Sequence, residues 1–135
     1  MKDEFSVNST CPCGSGDKYK KCCQPFHKGK LPKNALELMK SRYTAYKLGL
    51  ADYIIKTTHT SNKDYNKNTQ EWKNDILGFC KECEFKKLEI IDFKDDKNTP
   101  TVSFKASIIC NGNDCSFTEK SSFKIENKKL CYFDG

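Results

Sequence analysis

The four cysteines near the start of the chain constrain its fold more than any other feature of the sequence. They occur as Cys11-x-Cys13 and, after eight further residues, as the adjacent pair Cys22-Cys23. This spacing brings four sulfur atoms within reach of one tetrahedral metal ion, and two glycines between the pairs allow the tight turns that are needed. Four thiolates fill every position around a zinc ion and leave none open for a substrate. The sequence therefore predicts one structural Zn²⁺ site.

Two disulfides or four free thiols are the alternatives to a metal site at these positions. A bond between neighbouring cysteines such as Cys22 and Cys23 is strained, and nothing in the sequence indicates an oxidising compartment. Metal is therefore the favoured interpretation, with zinc as the default. Iron fits the same four-sulfur cage and is the alternative metal.

The cysteine-rich segment also resembles a known small motif. The stretch CPCGSGDKYKKCC, residues 11–23, has the cysteine spacing, both glycines and the serine of the SEC-C motif, the zinc-binding module at the tail of the preprotein translocase SecA. The stretches LMKSRYTAYKLGLADYIIKTTHTS and SSFKIENKKLCYFDG are similar to the start and the close of the main domain of the YchJ family. This resemblance implies a cone-shaped, nuclear-transport-factor-2-like (NTF2-like) domain, in which a curved sheet wraps over helices and encloses a pocket.

The order of the predicted elements indicates an α+β fold. Asn34 and Glu37 form a capping box that opens a helix, and Gly49 ends it. Two further helices are predicted at residues 52–58 and 69–83, and alternating residues then predict strands at 84–93, 101–110, 115–125 and 130–133. Helices followed by hairpin-linked strands favour helices packed on an antiparallel sheet. We expect residues 1–33 to form a zinc knuckle, that is, the loop that carries Cys11, Cys13, Cys22 and Cys23, together with a linker. Residues 34–135 are expected to form the cone-shaped domain.

The positive charge of the chain is concentrated in its first part. Residues 1–50 hold ten Lys/Arg and four Asp/Glu, whereas residues 51–135 hold fourteen of each. A basic docking surface is therefore predicted around the knuckle, formed by Lys18, Lys20, Lys21, Lys28 and Lys30. Such a surface suits an acidic protein, the ribosome, RNA or an anionic membrane. Nucleic acid is the less favoured partner because arginine forks are lacking, and a solvated loop without any partner is the remaining alternative.

A carboxylate on an apolar strand face is the main anomaly of the second half of the chain. Alternation along residues 117–125 places Glu119 on the same face as Phe123, where an isolated charge is costly. We predict that the single arginine, Arg42, pairs with Glu119 inside the cone. The pair would either bind a polar ligand or fix helix against sheet, and a Glu119 that faces water is the third alternative.

Other side chains are candidates for a pocket inside the cone. His59, near the end of the second helix, is a candidate acid–base group that Glu119 would orient, or alternatively a helix cap. Tyr43, Tyr46 and Trp72 occur at core spacing, so they either line the pocket or only pack in the core.

The remaining cysteines and the other histidine, His27, indicate a functional role less clearly. Cys80 and Cys83, with Cys110 and Cys115, are candidates for a second four-thiolate site, or are simply small buried side chains. A redox role for Cys80-x-x-Cys83 is disfavoured because a helix C-terminus opposes thiolate formation. His27 is expected at the surface or beside the knuckle.

Two functions are consistent with these features. The favoured one is a cytoplasmic zinc-binding interaction module, and the SEC-C resemblance implies an export chaperone or the ribosome as its partner. The alternative is a small-molecule-binding protein or acid–base enzyme that uses His59, Glu119 and Arg42. Residues 1–10 show no signal peptide, no segment is apolar enough to span a membrane, and nine cysteines favour a reducing cytoplasm.

Overall fold

The computed structural model describes residues 6–135 and shows helices followed by an antiparallel sheet. After a short 3-10 turn at Tyr19–Lys21, the helices are α1 (Gln24–His27), α2 (Ala35–Leu48), α3 (Ala51–Lys56) and α4 (Thr69–Glu82). The strands are β1 (Cys83–Lys94), β2 (Thr101–Cys110), β3 (Asn113–Asp114), β4 (Phe117–Glu126) and β5 (Lys129–Asp134). The predicted α+β class is confirmed. Residues 1–5 of the predicted knuckle segment lie outside the described part of the chain.

Helix α2 begins and ends at the residues that its capping signals predict. Asn34 Oδ1 accepts a hydrogen bond of 2.9 Å from the backbone N–H of Glu37. The Glu37 carboxylate in turn accepts one of 2.9 Å from the backbone N–H of Lys33. Gly49 ends the helix with a φ of 73°, a left-handed conformation that glycine adopts without a Cβ clash.

The sheet has the strand order β1-β2-β4-β5, and the short β3 pairs with β2 beside the turn. All the pairings are antiparallel. The register shifts twice in β1, between Phe85 and Lys87 and between Ile90 and Asp92, and once more where β4 meets β5. Irregularities of this kind bend a strand and increase its twist, as a sheet that wraps over helices requires.

The inner face of the sheet follows the predicted alternation, with a difference at the two ends of β4. Val102 and Phe104 of β2 are buried, and Phe123 of β4 is fully buried. Phe117 and Ile125, which alternate onto the same face of β4 as Phe123, are 41% and 66% exposed. The helical layer therefore covers only the middle of β4.

The knuckle is part of the main core and not a separate appendage. Cys11, Cys13, Tyr19 and Cys23 belong to the same buried cluster as Leu38 of α2 and the inner residues of β1 and β2. A single apolar cluster therefore spans the position between residues 33 and 34 at which the domain boundary is predicted, and that boundary itself stays a prediction.

A second, smaller cluster joins the helices to one another. It contains Trp72, Ile76 and Cys80 of α4, together with buried residues of α1, α2 and α3. Trp72 packs here against Tyr65, with 5.1 Å between the ring centroids. It is absent from the residues that line the cavity inside the cone, and its contacts are those of a core side chain. Across residues 6–135, no helix combines the length and the apolar character needed to span a membrane.

Truncation of Leu38 tests the joint core. Leu38 is fully buried, so Leu38→Ala should lower the free energy of unfolding by about 2–5 kcal/mol. Leu77→Ala is the matched control because Leu77 is 38% exposed on α4, and it should cost less than about 1 kcal/mol. Denaturant titration followed by far-UV circular dichroism measures both. Equal losses in the two variants would contradict this assignment of the core.

Candidate metal centre and cone cavity

The four cysteine sulfurs of the knuckle are close enough to hold one metal ion. The sulfur atoms of Cys11, Cys13, Cys22 and Cys23 all lie within 4.8 Å of one another. In a tetrahedral site with zinc–sulfur bonds of about 2.3 Å, the sulfur atoms are about 3.8 Å apart. The separation of 3.5 Å between Cys13 Sγ and Cys22 Sγ agrees with that spacing. The donor set and its geometry therefore fit a four-thiolate metal site.

The backbone between the two cysteine pairs forms a tight loop against the sheet. The N–H of Cys11 donates to the carbonyl of Asp17 at 2.8 Å, which closes the loop. Gly14 and Gly16 have φ values of 86° and 88°, in the region that favours glycine. A Cβ on Gly14 would also come to 3.4 Å from the carbonyl oxygen of Leu88. Gly14 therefore provides both the turn and the close approach of the knuckle to β1.

Hydroxyl groups from two elements contact the cysteine sulfurs. Thr44, fully buried in α2, donates to Cys23 Sγ at 3.4 Å and lies 3.8 Å from Cys11 Sγ. Ser15 Oγ lies 3.1 Å from Cys22 Sγ. Contacts of this kind orient metal ligands. Sequence reasoning missed Thr44, whose only signal is a hydroxyl within the buried stretch of a helix.

The knuckle thiols shift one another's pKa values. Hydrogen bonds from Cys11 and then from Cys23 lower the pKa of Cys13, while burial raises the pKa of Cys22 to about 12. The hydrogen bond with Cys11 raises the pKa of Cys23. Among these thiols, Cys13 is therefore the one whose thiolate form its neighbours favour. A bound divalent ion would replace those protons, which couples metal binding to proton release.

His27 ties the knuckle to helix α2. The Tyr19 hydroxyl donates to His27 Nδ1 at 2.7 Å, and His27 Nε2 lies 2.8 Å from the carbonyl oxygen of Ser41. Because a carbonyl oxygen only accepts, Nε2 carries the proton. Of the two sequence expectations for His27, the position beside the knuckle is confirmed.

A cavity of about 230 Å³ lies between the helices and the inner face of the sheet; we call it the cone cavity. Four of the predicted pocket residues border it, namely Arg42, Tyr43, Tyr46 and Glu119. The aromatic side chains in its wall are Tyr43, Tyr46, Phe79, Phe85, Phe104, Phe117 and Tyr132. The cavity is therefore mostly apolar, with a few charged groups at its border.

Arg42 and Glu119 do not pair directly, so the prediction of an ion pair is wrong. Arg42 Nη1 donates to three oxygen atoms near the end of α3, among them Thr57 Oγ1 at 2.7 Å and Thr58 Oγ1 at 3.1 Å. The Arg42 guanidinium lies 4.6 Å from the ring centroid of Tyr132, whose hydroxyl donates to Glu119 at 3.1 Å. An aromatic ring thus separates the two charges.

His59 does not join Glu119, so the predicted acid–base combination is also wrong. The backbone N–H of His59 donates to the carbonyl of Tyr132, which holds this segment at the sheet edge. His59 Nδ1 accepts from the N–H of Ser61 at 3.0 Å, and Nε2 lies 3.9 Å from the Glu126 carboxylate. His59 is not among the residues that line the cone cavity.

The other candidate cysteines do not form a second metal site. Cys83 and Cys110 are cross-strand partners at one end of the β1–β2 pair, and a disulfide joins them directly. Cys80 is buried in α4, whereas Cys115 is exposed in the short connection between β3 and β4. Within the described chain, the knuckle alone brings together three or more metal-ligating side chains.

Metal analysis tests the knuckle site. Protein purified without added metal should contain about one zinc ion per chain by plasma mass spectrometry. Cys23→Ser should lose the metal, because three thiolates with one hydroxyl bind zinc more weakly. Cys115→Ser changes an exposed cysteine and should keep it. Iron as the main metal would contradict the choice of zinc, and a metal-free wild type would contradict the site.

The stability of the protein should depend on pH through His27. Burial lowers the pKa of His27 below its ordinary value of 6.5, so the unfolded chain binds the proton more readily. The contribution of neutral His27 is therefore complete above that value and is lost as the pH falls below it. We expect the stability advantage of wild type over His27→Gln to shrink between about pH 7.5 and pH 5.5.

Denaturant titrations across that pH range measure the His27 effect. Leu77→Ala, which changes a partly exposed side chain of α4 that carries no titratable group, should keep the pH dependence of the wild type. A difference between wild type and His27→Gln that stays constant with pH would contradict the assignment.

Comparison with known proteins agrees with this architecture. Residues 34–135 match the family described as YchJ, middle NTF2-like domain, and residues 8–25 match the SEC-C motif. The chain is 34% identical to a UPF0225 protein of Vibrio parahaemolyticus, over 94% of this chain and 74% of that protein. It is 33% identical to the UPF0225 protein YchJ of Shigella dysenteriae, over 96% and 84% of the two chains.

A solved structure shows the same combination of parts. The solution structure of a SEC-C motif containing protein from Rhodopseudomonas palustris aligns with a TM-score of 0.80 at 28% identity. The alignment covers 94% of this chain and 97% of that one. Family match, sequence identity and fold agree, and the chain therefore belongs to the YchJ family, with a SEC-C motif followed by an NTF2-like domain.

Proposed function

We propose that the protein is an interaction module that docks on an acidic protein surface through its zinc-ordered knuckle. The observation that carries this proposal is a closed four-sulfur site surrounded by exposed lysines. Five side chains form this docking surface, Lys18, Lys20, Lys21, Lys28 and Lys30, and all five are exposed. Within residues 6–135 none of them forms an ion pair with a carboxylate. Their charges are therefore available to a partner.

The metal in this proposal is structural. Four thiolates complete the coordination of zinc and leave no position for a substrate. Three of the four cysteines are at most 3% exposed, which also keeps solvent away from the centre. Zinc supplies a fixed anchor for the loop, and the loop then presents its lysines in one arrangement.

A small cleft beside the knuckle extends the basic surface. It has a volume of about 130 Å³ and is bordered by Lys30, Lys56, Lys128 and Lys129. Apolar side chains lie between these lysines, including Leu31, which is 56% exposed. This combination suits an acidic segment that also carries an apolar side chain, as a protein partner would provide.

A protein partner is favoured over nucleic acid by the position of the aromatic side chains. Recognition of single-stranded RNA uses exposed rings on which bases stack. Tyr19 and Phe26, the rings nearest the docking lysines in sequence, are only 5% and 8% exposed. The SEC-C resemblance to the SecA tail points to an export chaperone or the ribosome as the partner class, and a cytoplasmic location belongs to the same proposal.

Charge reversal tests the docking surface, with polyglutamate as an acidic probe. Lys20→Glu/Lys21→Glu should weaken binding at least about tenfold, since two attractive charges become repulsive. Lys63→Glu/Lys67→Glu makes the same change in net charge at exposed positions away from the knuckle, and it should have a small effect.

Fluorescence anisotropy measures the affinities, with polyuridylate as the competing nucleic-acid probe. Removal of the metal by a chelator should also weaken binding, because the loop loses its fixed shape. Equal losses in the two double variants, or tighter binding of polyuridylate than of polyglutamate, would contradict the proposal.

A further inference from the structure

The cone cavity has the size and the walls to hold a small apolar group. A cavity of about 150 Å³ admits benzene, and the cone cavity measures about 230 Å³. Rings border it from both layers, such as Tyr43 and Tyr46 of α2 and Phe104 of β2. It therefore has space for one ring with a short polar arm.

Glu119 brings an oriented carboxylate to this cavity. The hydroxyl groups of Ser121 and Tyr132 both donate to the same oxygen, Glu119 Oε2. The other oxygen, Oε1, has no hydrogen-bond partner among residues 6–135. Two hydroxyls thus hold the carboxylate in place and leave one acceptor for a ligand. Such preorganisation reduces the entropy lost on binding.

The charges at the border of the cavity favour a cation. Three charged side chains line it, Arg42, Asp64 and Glu119, so the sum is negative. Arg42 already donates to three acceptors near α3, and its guanidinium rests on the Tyr132 ring. Aromatic faces also attract cations through their quadrupole.

We propose that the cone cavity binds a small organic cation, namely an amine with an apolar body of about one ring. The ammonium donates to Glu119 Oε1, and the apolar body packs against the aromatic wall. Ser121 and Tyr132 act as positioning residues that hold the carboxylate. The proposed amine site uses no residue of the knuckle, so it is independent of the docking function.

A series of three ligands with one shared ring tests the charge requirement on the full, metal-loaded chain. Phenethylamine is the cation, phenethyl alcohol the neutral analogue and phenylacetate the anion. Isothermal titration should show that the amine binds at least about tenfold more tightly than the alcohol, and that the anion binds weakest. Equal affinity for amine and alcohol, tightest binding of the anion, or no binding of any of the three would overturn the proposal.

Two matched glutamine variants test the position of the carboxylate. Glu119→Gln keeps the shape but removes the charge, and it should abolish the preference for phenethylamine over phenethyl alcohol. Glu126 is on the same strand but accepts a hydrogen bond from Thr60 instead of bordering the cavity. Glu126→Gln should therefore keep the preference for phenethylamine. The same loss in both variants would overturn the assignment to Glu119. Should Glu119→Gln fail to fold by circular dichroism, the ligand series on the wild-type chain decides alone.

Discussion

The buried contact between the cysteine knuckle and helix α2 is the interaction on which the rest of the structure depends. Thr44 donates to a knuckle sulfur, and the Ser41 carbonyl accepts from His27 on the other side of the same contact. Tyr43 and Tyr46 of the same helix line the cone cavity. One helix therefore positions the candidate metal site at one face and the cavity at another. The SEC-C segment and the NTF2-like segment form a single physical unit at this point.

Local signals predicted the features that depend on neighbouring residues. The Asn34 cap, the Gly49 end and the buried alternation of β2 each follow from a few adjacent side chains, and the structure confirms them. The four knuckle cysteines were predictable for the same reason, since their spacing alone brings the sulfurs together. For these features the sequence was sufficient, because the interacting groups lie close together along the chain.

Features that depend on distant residues were not predictable in this way. Strand alternation correctly placed Glu119 toward the cavity, but nothing local indicates that Tyr132 of β5 would lie between it and Arg42. Arg42 instead meets acceptors such as Thr57, which are available only because α3 ends beside it. His59 was misplaced for a similar reason, because its backbone pairs with β5. In each case tertiary packing, and not propensity, chose the partner.

The polar side chains buried in α2 have a consequence for how the chain folds. Ser41, Arg42 and Thr44 are all buried, and their partners come from two other parts of the molecule, namely α3 with its C-terminal end (the Tyr53 and Thr57 hydroxyls) and the knuckle sulfurs. If either of these parts were unfolded, Arg42 or Thr44 of α2 would lose hydrogen-bond partners, and a buried polar group without a partner is costly. Partly folded forms are thereby penalised, so folding is driven toward an all-or-none transition in which the knuckle, α2 and α3 form together.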